Sequence, residues 1–590
     1  MKLTTEQKIA VRCDTNLMLN ACPGSGKTRV IISKLLRTAE DVRGSPRAVA
    51  CITYTNAAVY EIESRLRQHI QPNDDTYYDI GTIHSFCLNH VFRPFCHLIA
   101  GYNAGFKVLT PESEEFKEFV IETCEHYDRY DLTYKDFDSF AQLRMDVDGT
   151  PVGNAIDNGE ISPDLARSYW KRIRKAGFID FPTIIYLSYV LLKKRPEILG
   201  YVSSRFAWIL VDEFQDTTDL QVEILSLIAS AKRTRFLLVG DPCQSIFRFA
   251  GARPDLAEMF ASRIQARTDL HLSGNFRSSS PVVEHANLLY PRNPPMKAVG
   301  RARDYSNEPI WRHGSSAFEV ITDYFLPHLE GLSIPIGQAA ILAPTWYSLF
   351  PLGRQLRELG ISIVGPGARP YSRNRLFAPI AEQVCGYLVE ADPNVIFGIE
   401  RSLFDTVLNA TGRANFDIFS YRGRVVVFQL IESARQLWSI NMGAVAWLES
   451  AAIRFSEILM AKDYLAPKES DLFSMSVEEM KTDMRNRRVD LANLTITDLG
   501  LYAKPKAALK LSTIHSAKGR EYRAVAMIDL HDGRIPHYRA ESVDEVEESK
   551  RLFYVGVTRA EQYLLYVTDT SNHRNSPTRF LRNETGVGVC

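Results

Sequence analysis

The eight residues Ala21–Thr28 read ACPGSGKT; they follow the short apolar run Leu17–Leu19 and lead into the helical stretch RVIISKLLRTAE. A strand, a glycine-rich turn and a helix in that order form a cradle for phosphate. Gly24 and Gly26 let backbone N–H groups turn toward an anion, and the helix N-terminus adds its dipole. Lys27 is spaced to reach the outer phosphates, and Thr28 carries the hydroxyl that such loops place on magnesium. Ala21, Cys22, Pro23, Ser25 and Arg29 complete the loop and its helix start. Ala21 stands where the usual pattern has its first glycine.

A second segment supplies the other half of this chemistry. Phe206–Asp216 reads FAWILVDEFQD, an apolar strand ending in two adjacent carboxylates. Beside a phosphate loop, Asp212 is placed to hold magnesium, and Glu213 to orient and deprotonate a water attacking the outer phosphate. ATP and magnesium are therefore the expected substrate and cofactor, and hydrolysis of the γ phosphate the expected reaction.

With 590 residues the chain is too long for a single core, and three or four domains are expected. The runs Ala48–Ile52, Trp208–Val211 and Phe236–Val239 join Leu17–Leu19 as strands of one parallel α/β sheet. Ala339–Leu342, Ser362–Val364, Lys510–Thr513, Ala524–Ile528 and Gln562–Val567 predict a second. Between them lie two charge-rich stretches without strand character, about residues 95–177 and 375–504; the second has Lys481, Arg485, Arg487 and Arg488 near its end. Both read as helical insertions. The most apolar run, Thr183–Leu192, is too short for a bilayer and predicts a buried helix. Nine cysteines without a C-x-x-C pair argue against disulfides or a zinc ribbon, and the residues predict a cytoplasmic protein with no membrane partner. Seventy basic residues balance seventy acidic ones, so nucleic-acid binding must come from local patches. Arg167, Lys171, Arg172, Arg174 and Lys175 form one candidate patch.

DEFQD after such a loop resembles the UvrD/Rep/PcrA group of superfamily 1 DNA helicases, and further segments extend the resemblance almost end to end. LTTEQ carries Gln7 where the family reads adenine, while TYTNAA (Thr53–Ala58) and GTIHSFC (Gly81–Cys87) are similar to segments that touch single-stranded DNA. They put Thr53, Tyr54, Thr55, Asn56, Thr82 and His84 on the strand track. VGDPCQSIFRFAGA supplies Gln244 as sensor of the γ phosphate and Phe247 and Phe249 for the bases. LSGNFRS supplies Phe276 to stack on adenine and Arg277 for the γ phosphate. STIHSAKGREY supplies His515 for DNA, Lys518, and Glu521 for the nucleotide, and RLFYVGVTRA supplies Arg559 as arginine finger. Phenylalanines replace the family's tyrosine at 276 and its tyrosine and tryptophan at 247 and 249, changes that leave stacking possible. Pro242 and Cys243 stand where acidic residues are frequent, Ala57 replaces a lysine, and Arg520 an apolar residue.

The resemblance implies two RecA-like parallel-sheet motor domains, each with a mainly helical insertion, and ATP between them. The expected boundaries are 1–95 and 178–274 for the first motor and 96–177 for its 1B-like insertion. The second motor takes 275–375 and 505–590, with a small 2B-like insertion over 376–504. Only 31 residues follow Arg559, so the tail domain of some relatives is not expected. The implied activity is ATP-dependent 3′ to 5′ translocation on single-stranded DNA, with unwinding at single-strand/duplex junctions, in repair or replication restart. Two alternatives stay open: an ATPase subunit of a Gabija-like antiviral complex partnered with an OLD-type nuclease, and a DNA-dependent translocase that does not unwind.

Overall fold

The computed structural model describes residues 3–66, 69, 77–102, 105–111, 113–365, 368–372, 375–411, 418–438, 443–487, 489–492, 494–503, 507–570 and 576–589. They form two compact units, Met1–Asn307 with Pro536–Gln562, and Glu308–Ile535 with Tyr563–Cys590.

The first unit is built on six strands: β1 (Leu17–Ala21), β2 (Ala48–Thr53), β3 (Tyr78–Thr82), β4 (Phe206–Val211), β5 (Arg235–Gly240) and β6 (His271–Leu272), in the order β6-β1-β5-β4-β2-β3. The pairings are parallel; Leu17 faces Leu237 and Ile52 faces Val211 in register. Such a sheet is covered on both faces, so its interior strands β1, β2, β4 and β5 are mostly apolar and buried. The alternation divides them cleanly. Leu17, Leu19, Val49, Cys51, Leu210 and Leu237 join one core with Val30, Ile31 and Leu35 of the helix Lys27–Val42. Met18, Ala50, Ile52, Ile209, Val211 and Leu238 join the opposite core with the helix Phe181–Lys194. That helix buries Thr183–Ile185, Leu187–Tyr189, Leu191 and Leu192, as expected from its apolar run. The helix Lys27–Val42 also carries a buried lysine, Lys34. Its Nζ donates to the carbonyls of Val11 and Cys13 and lies 3.9 Å from the Trp208 ring centre, and burial pushes its pKa down to about 8.

The first insertion has its own core of Leu109, Phe116, Val120, Phe140, Leu165, Tyr169, Trp170 and Ile173. Ile99 and Tyr102 pack instead into the sheet's core. Contrary to the strand-free expectation, two short ladders occur here. Lys107–Val108 pairs in parallel with Phe178–Ile179, and Arg144–Met145 antiparallel with Pro151–Val152. Two-residue ladders have no hydrophobic alternation to betray them. Of the basic patch, Arg167 pairs with Asp164, Arg172 with Glu122, and Arg174 donates to the carbonyl of Ala100.

The second unit repeats the architecture with β7 (Ile310–Gly314), β8 (Ala339–Ala343), β9 (Ile363–Val364), β10 (Leu509–Thr513), β11 (Tyr522–Met527) and β12 (Ala560–Asp569), ordered β7-β12-β11-β8-β10-β9. The boundary between the units falls within β12. β8 is central, parallel to both β10 and β11. The second insertion is all-helical among its described residues: Ala378–Val389, Pro393–Thr411, Tyr421–Leu437, Ala444–Met460, Leu472–Asn486 and Ile496–Gly500. Phe377, Trp447, Phe455, Phe473 and Met480 fill its core. Lys481 pairs with Glu449 and Glu478, and Arg487 donates to the carbonyls of Arg369 and Tyr371; Arg488 and Lys504 lie outside the described residues. Among the described residues no helix is long and apolar enough to cross a membrane.

Candidate active site

The phosphate loop leaves the carboxyl end of β1 as the sequence requires. Gly24 and Gly26 take φ of 67° and 79°, left-handed values that favour glycine, and the helix begins at Lys27, already within the ACPGSGKT segment. Space is a second reason for glycine. A Cβ on Gly24 would stand 2.7 Å from Cβ of Arg277, and one on Gly26 would stand 2.8 Å from Nε2 of Gln7. The hydroxyl of Ser25, within the loop, is buried and without a hydrogen-bond partner among the described residues.

Gln7 lies under this loop and is 1% exposed. Its Oε1 accepts from the backbone N–H of Thr4 at 3.0 Å, closing a capping box, and its Nε2 donates to the carbonyl of Ser25 at 2.9 Å. Its amide therefore supports the loop from within. Cys22 is buried, which raises its thiol pKa to about 12 and keeps it protonated.

Asp212 and Glu213 stand at the end of β4. Lys27 Nζ donates to both oxygens of Glu213, at 3.1 and 3.2 Å. Burial alone would lower the lysine's pKa, but the carboxylates of Glu213, Asp241 and Asp212 outweigh it and hold the pKa above the ordinary value. The Asp212 pKa is raised as well, by burial and then by repulsion from Glu213, which for a carboxylate favours the neutral form. Glu213 itself adopts a left-handed φ of 51°. Gln215 bridges outward from it: Nε2 donates to Glu213 Oε2 at 2.6 Å, while Oε1 accepts from the backbone N–H of Asp241 at 3.0 Å.

Asp241 opens the turn after β5 and is fully buried. Its carboxylate accepts from Arg292 Nη2 at 2.8 Å on both oxygens and from the backbone N–H of Cys243 at 3.1 Å. Arg292 also donates to the hydroxyl of Tyr554 at 2.9 Å. At the end of the same turn Gln244 accepts from Arg559 Nη2 at 3.2 Å. Arg559 is 1% exposed, and its Nε donates to the carbonyl of Val555. Arg277 Nη1 donates to the carbonyl of Thr558 at 2.9 Å, and the N–H of Phe276 donates to the carbonyl of Gly24 at 2.8 Å.

Phe276, Arg277 and Arg559 thus fall within the unit that holds the phosphate loop, whereas the sequence reading assigns them to the second motor. The helices Ser280–Leu289 and Val543–Val557 carry this part of the unit, tied by the bond from Tyr290 to Glu547 at 2.7 Å. Sequence reasoning misses Asp241, Arg292 and Gln215. An acidic residue directly after an apolar strand and before Pro242 is a signal for Asp241; nothing in the sequence pairs it with Arg292.

Two of the segments expected to meet DNA converge where β2 ends beside the turn after Gln244. Tyr54 stacks on Phe247, ring centres 4.9 Å apart and planes 20° from parallel. Thr53 Oγ1 donates to the carbonyl of Thr55, and Thr55 Oγ1 accepts from the N–H of Ala58, starting the helix Asn56–Leu66. Thr82 caps the helix Ile83–Cys87, and His84, whose pKa burial lowers to about 4, meets Phe181 edge-on. The side chain of Phe249 lies outside the described residues. His515, Lys518 and Glu521 belong to the second unit, between β10 and β11.

The donor set fits a nucleoside triphosphate: glycine-opened amides, an enclosed unpaired hydroxyl, one lysine and two arginines. Thr28 and Asp212 offer the hard oxygens that magnesium takes. Comparison with known proteins agrees. Residues 3–265 match the UvrD/REP helicase N-terminal domain, and residues 470–572 match the UvrD-like helicase C-terminal domain. The ATP-dependent DNA helicase Rep of Escherichia coli (strain K12) is 24% identical, covering 98% of this chain and 94% of the relative. The ATP-dependent DNA helicase PcrA of Staphylococcus aureus (strain Mu50 / ATCC 700699) is 25% identical, covering 98% and 86%. Phosphate loop, paired carboxylates and arginines stand together in a chain matched at both ends, and the chain belongs to the UvrD-like superfamily 1 helicase family.

Proposed function

We propose that this chain hydrolyses ATP to move 3′ to 5′ along single-stranded DNA and to unwind duplex at a junction, in repair or replication restart within the cytoplasm. One observation carries the reading. The segment Gln244–Phe247 has Gln244 on Arg559 at one end and Phe247 on Tyr54 at the other, so a change felt at the phosphate side has a short path to the aromatic side.

In the proposed reaction Lys27 leaves Glu213 for the β and γ phosphates, which frees Glu213 to orient the attacking water and accept its proton. Thr28 and Asp212 would hold magnesium, which would neutralise part of the phosphate charge when bound. Arg559 and Arg277 stabilise charge spreading over the transferred phosphoryl, and Gln244 reports its presence. Phe276 stacks on the adenine, with Gln7 supporting the loop and Glu521 as a further nucleotide contact. The strand runs over Thr53, Tyr54, Thr55, Asn56, Thr82, His84, Phe247, Phe249 and His515, with the insertions as accessory domains.

Arg559→Ala tests the proposal. Turnover of the folded variant should fall by about 10³ to 10⁵, the range for an arginine finger, while single-strand binding holds. Near-normal turnover in a folded variant would sink the assignment. Polarity is read separately, by comparing unwinding of duplexes with 3′ and 5′ tails; preference for the 5′ tail would reverse the proposed direction.

A further inference from the structure

Arg144 lies in the first insertion, on the short ladder Arg144–Met145 with Pro151–Val152, far in sequence from every segment of the site. Its side chain reaches across to the turn that follows Phe247. There Gly251 takes a φ of 86°, and a Cβ at that position would overlap the guanidinium, standing 2.6 Å from Cζ. The glycine therefore makes room for the arginine. Tyr54 is near enough that each influences the other's ionisation.

What distinguishes Arg144 is its lack of an anion. Among the described residues its guanidinium makes no hydrogen bond and no ion pair, and its Nε is enclosed without a partner. Asp157 and Asp219 act on it only from beyond ion-pair distance. The neighbouring arginines are satisfied: Arg248 pairs with Asp544, and Arg253 with Asp219 and Asp255. A half-buried cation without a counter-charge is costly to keep, and burial indeed disfavours its charged form. A planar fork of donors, withdrawn from water and unanswered within the protein, is suited to a phosphate.

We infer that Arg144, delivered by the insertion, contacts a backbone phosphate of single-stranded DNA at the Tyr54–Phe247 stack. The inference rests on reading that stack as part of the base track. Stacking faces for bases and a fork for the phosphate beside them are the two components of sequence-independent strand binding. The insertion thereby takes a direct part in holding the strand.

The test uses the full chain and an oligo-dT strand, with affinity measured between about 50 and 200 mM salt. Arg144→Gln should bind roughly tenfold more weakly, the scale of one charge-assisted hydrogen bond. Its plot of log affinity against log salt should be shallower by about 0.7, the loss of one phosphate contact on a single strand. Arg144→Lys should keep the wild-type slope, because the charge remains, and it carries the test if the glutamine variant melts early. An unchanged slope in Arg144→Gln, with Tyr54→Ala weakened, would overturn Arg144 and leave the track standing. A slope lost equally in Arg144→Lys would overturn a phosphate contact made through charge. If Tyr54→Ala and Phe247→Ala also bind as wild type, the track reading itself fails and takes Arg144 with it.

Discussion

In the first unit β1 runs into a loop where two glycines take left-handed backbone angles, whereas in the second unit β8 runs into Pro344 and Thr345 and then directly into the helix Trp346–Glu358. Both strands are buried, parallel and interior to their sheets. The fold alone therefore makes no phosphate site. Backbone that can turn its N–H groups inward does, and it needs glycines with no room for a side chain, as Gly24 has none beside Arg277. The residues that follow β8 are different in kind: Trp346, Tyr347 and Phe350 are exposed. The acids at the two sheets differ as well. Asp241 is sealed against Arg292, while Asp529, after β11, accepts from Ser348 and has the partly exposed Arg534 at 3.6 Å.

The largest effect expected from this contrast is on turnover. Glu213→Gln should lower DNA-stimulated hydrolysis by about 10² to 10⁴, the usual worth of a general base, with nucleotide still bound. Thr345→Ala, at the equivalent exit of the second sheet, should leave nucleotide affinity unchanged. A strong loss of ATP binding in Thr345→Ala would break the comparison.

Next comes the sealed acid. Arg292→Met strands a buried carboxylate and should cost about 3 to 5 kcal/mol in urea unfolding, most of it recovered by adding Asp241→Asn. Asp529→Asn keeps an acceptor for Ser348 and loses only charge toward the exposed Arg534 and the buried His531 at 3.8 Å, so it should cost about 1 kcal/mol or less. Equal costs would show that burial does not separate the two acids.

A pH-dependent effect is shared by the units. Lys34 and Lys510 each have a pKa pushed down to about 8 by burial, from an ordinary 10.5. Between those values the unfolded chain holds protons that the folded chain has released, so stability rises with pH across that window and is flat below it. Urea midpoints should climb from pH about 8 to about 10.5 in the wild type, less in Lys34→Met or Lys510→Met, and least in the double variant. A midpoint that stays level across the window in the wild type would refute it.

Much of this arrangement is legible in the residues themselves, for a chemical reason. A phosphate loop and a pair of carboxylates at a strand end tolerate few residue types, so ACPGSGKT and VDEFQD announce themselves, and buried parallel strands such as Phe206–Val211 are apolar on both faces. The edge strand Tyr78–Thr82 escapes the pattern because YDIGT is half-exposed and carries an aspartate and a glycine, poor strand formers. β6 and β7 escape it too, being respectively two residues long and polar at His313 and Arg312. Arg144 and Arg292 are invisible for another reason: what singles them out is the neighbour each meets, or lacks, and that is decided by tertiary packing. Gln7 shows the reverse case, a residue recognised by position whose amide is engaged by Thr4 and Ser25.

The first insertion leaves and rejoins its unit through two strands that lie side by side, Lys107–Val108 against Phe178–Ile179, and the second is flanked by β9 and β10, which also pair. A segment whose two ends are already neighbours can lengthen, shrink or be exchanged without moving the sheet it interrupts. Each insertion also keeps its own core, so such a change need not unpack the host. The architecture thus makes each insertion a self-contained detour, spliced into a sheet whose own packing does not depend on its length.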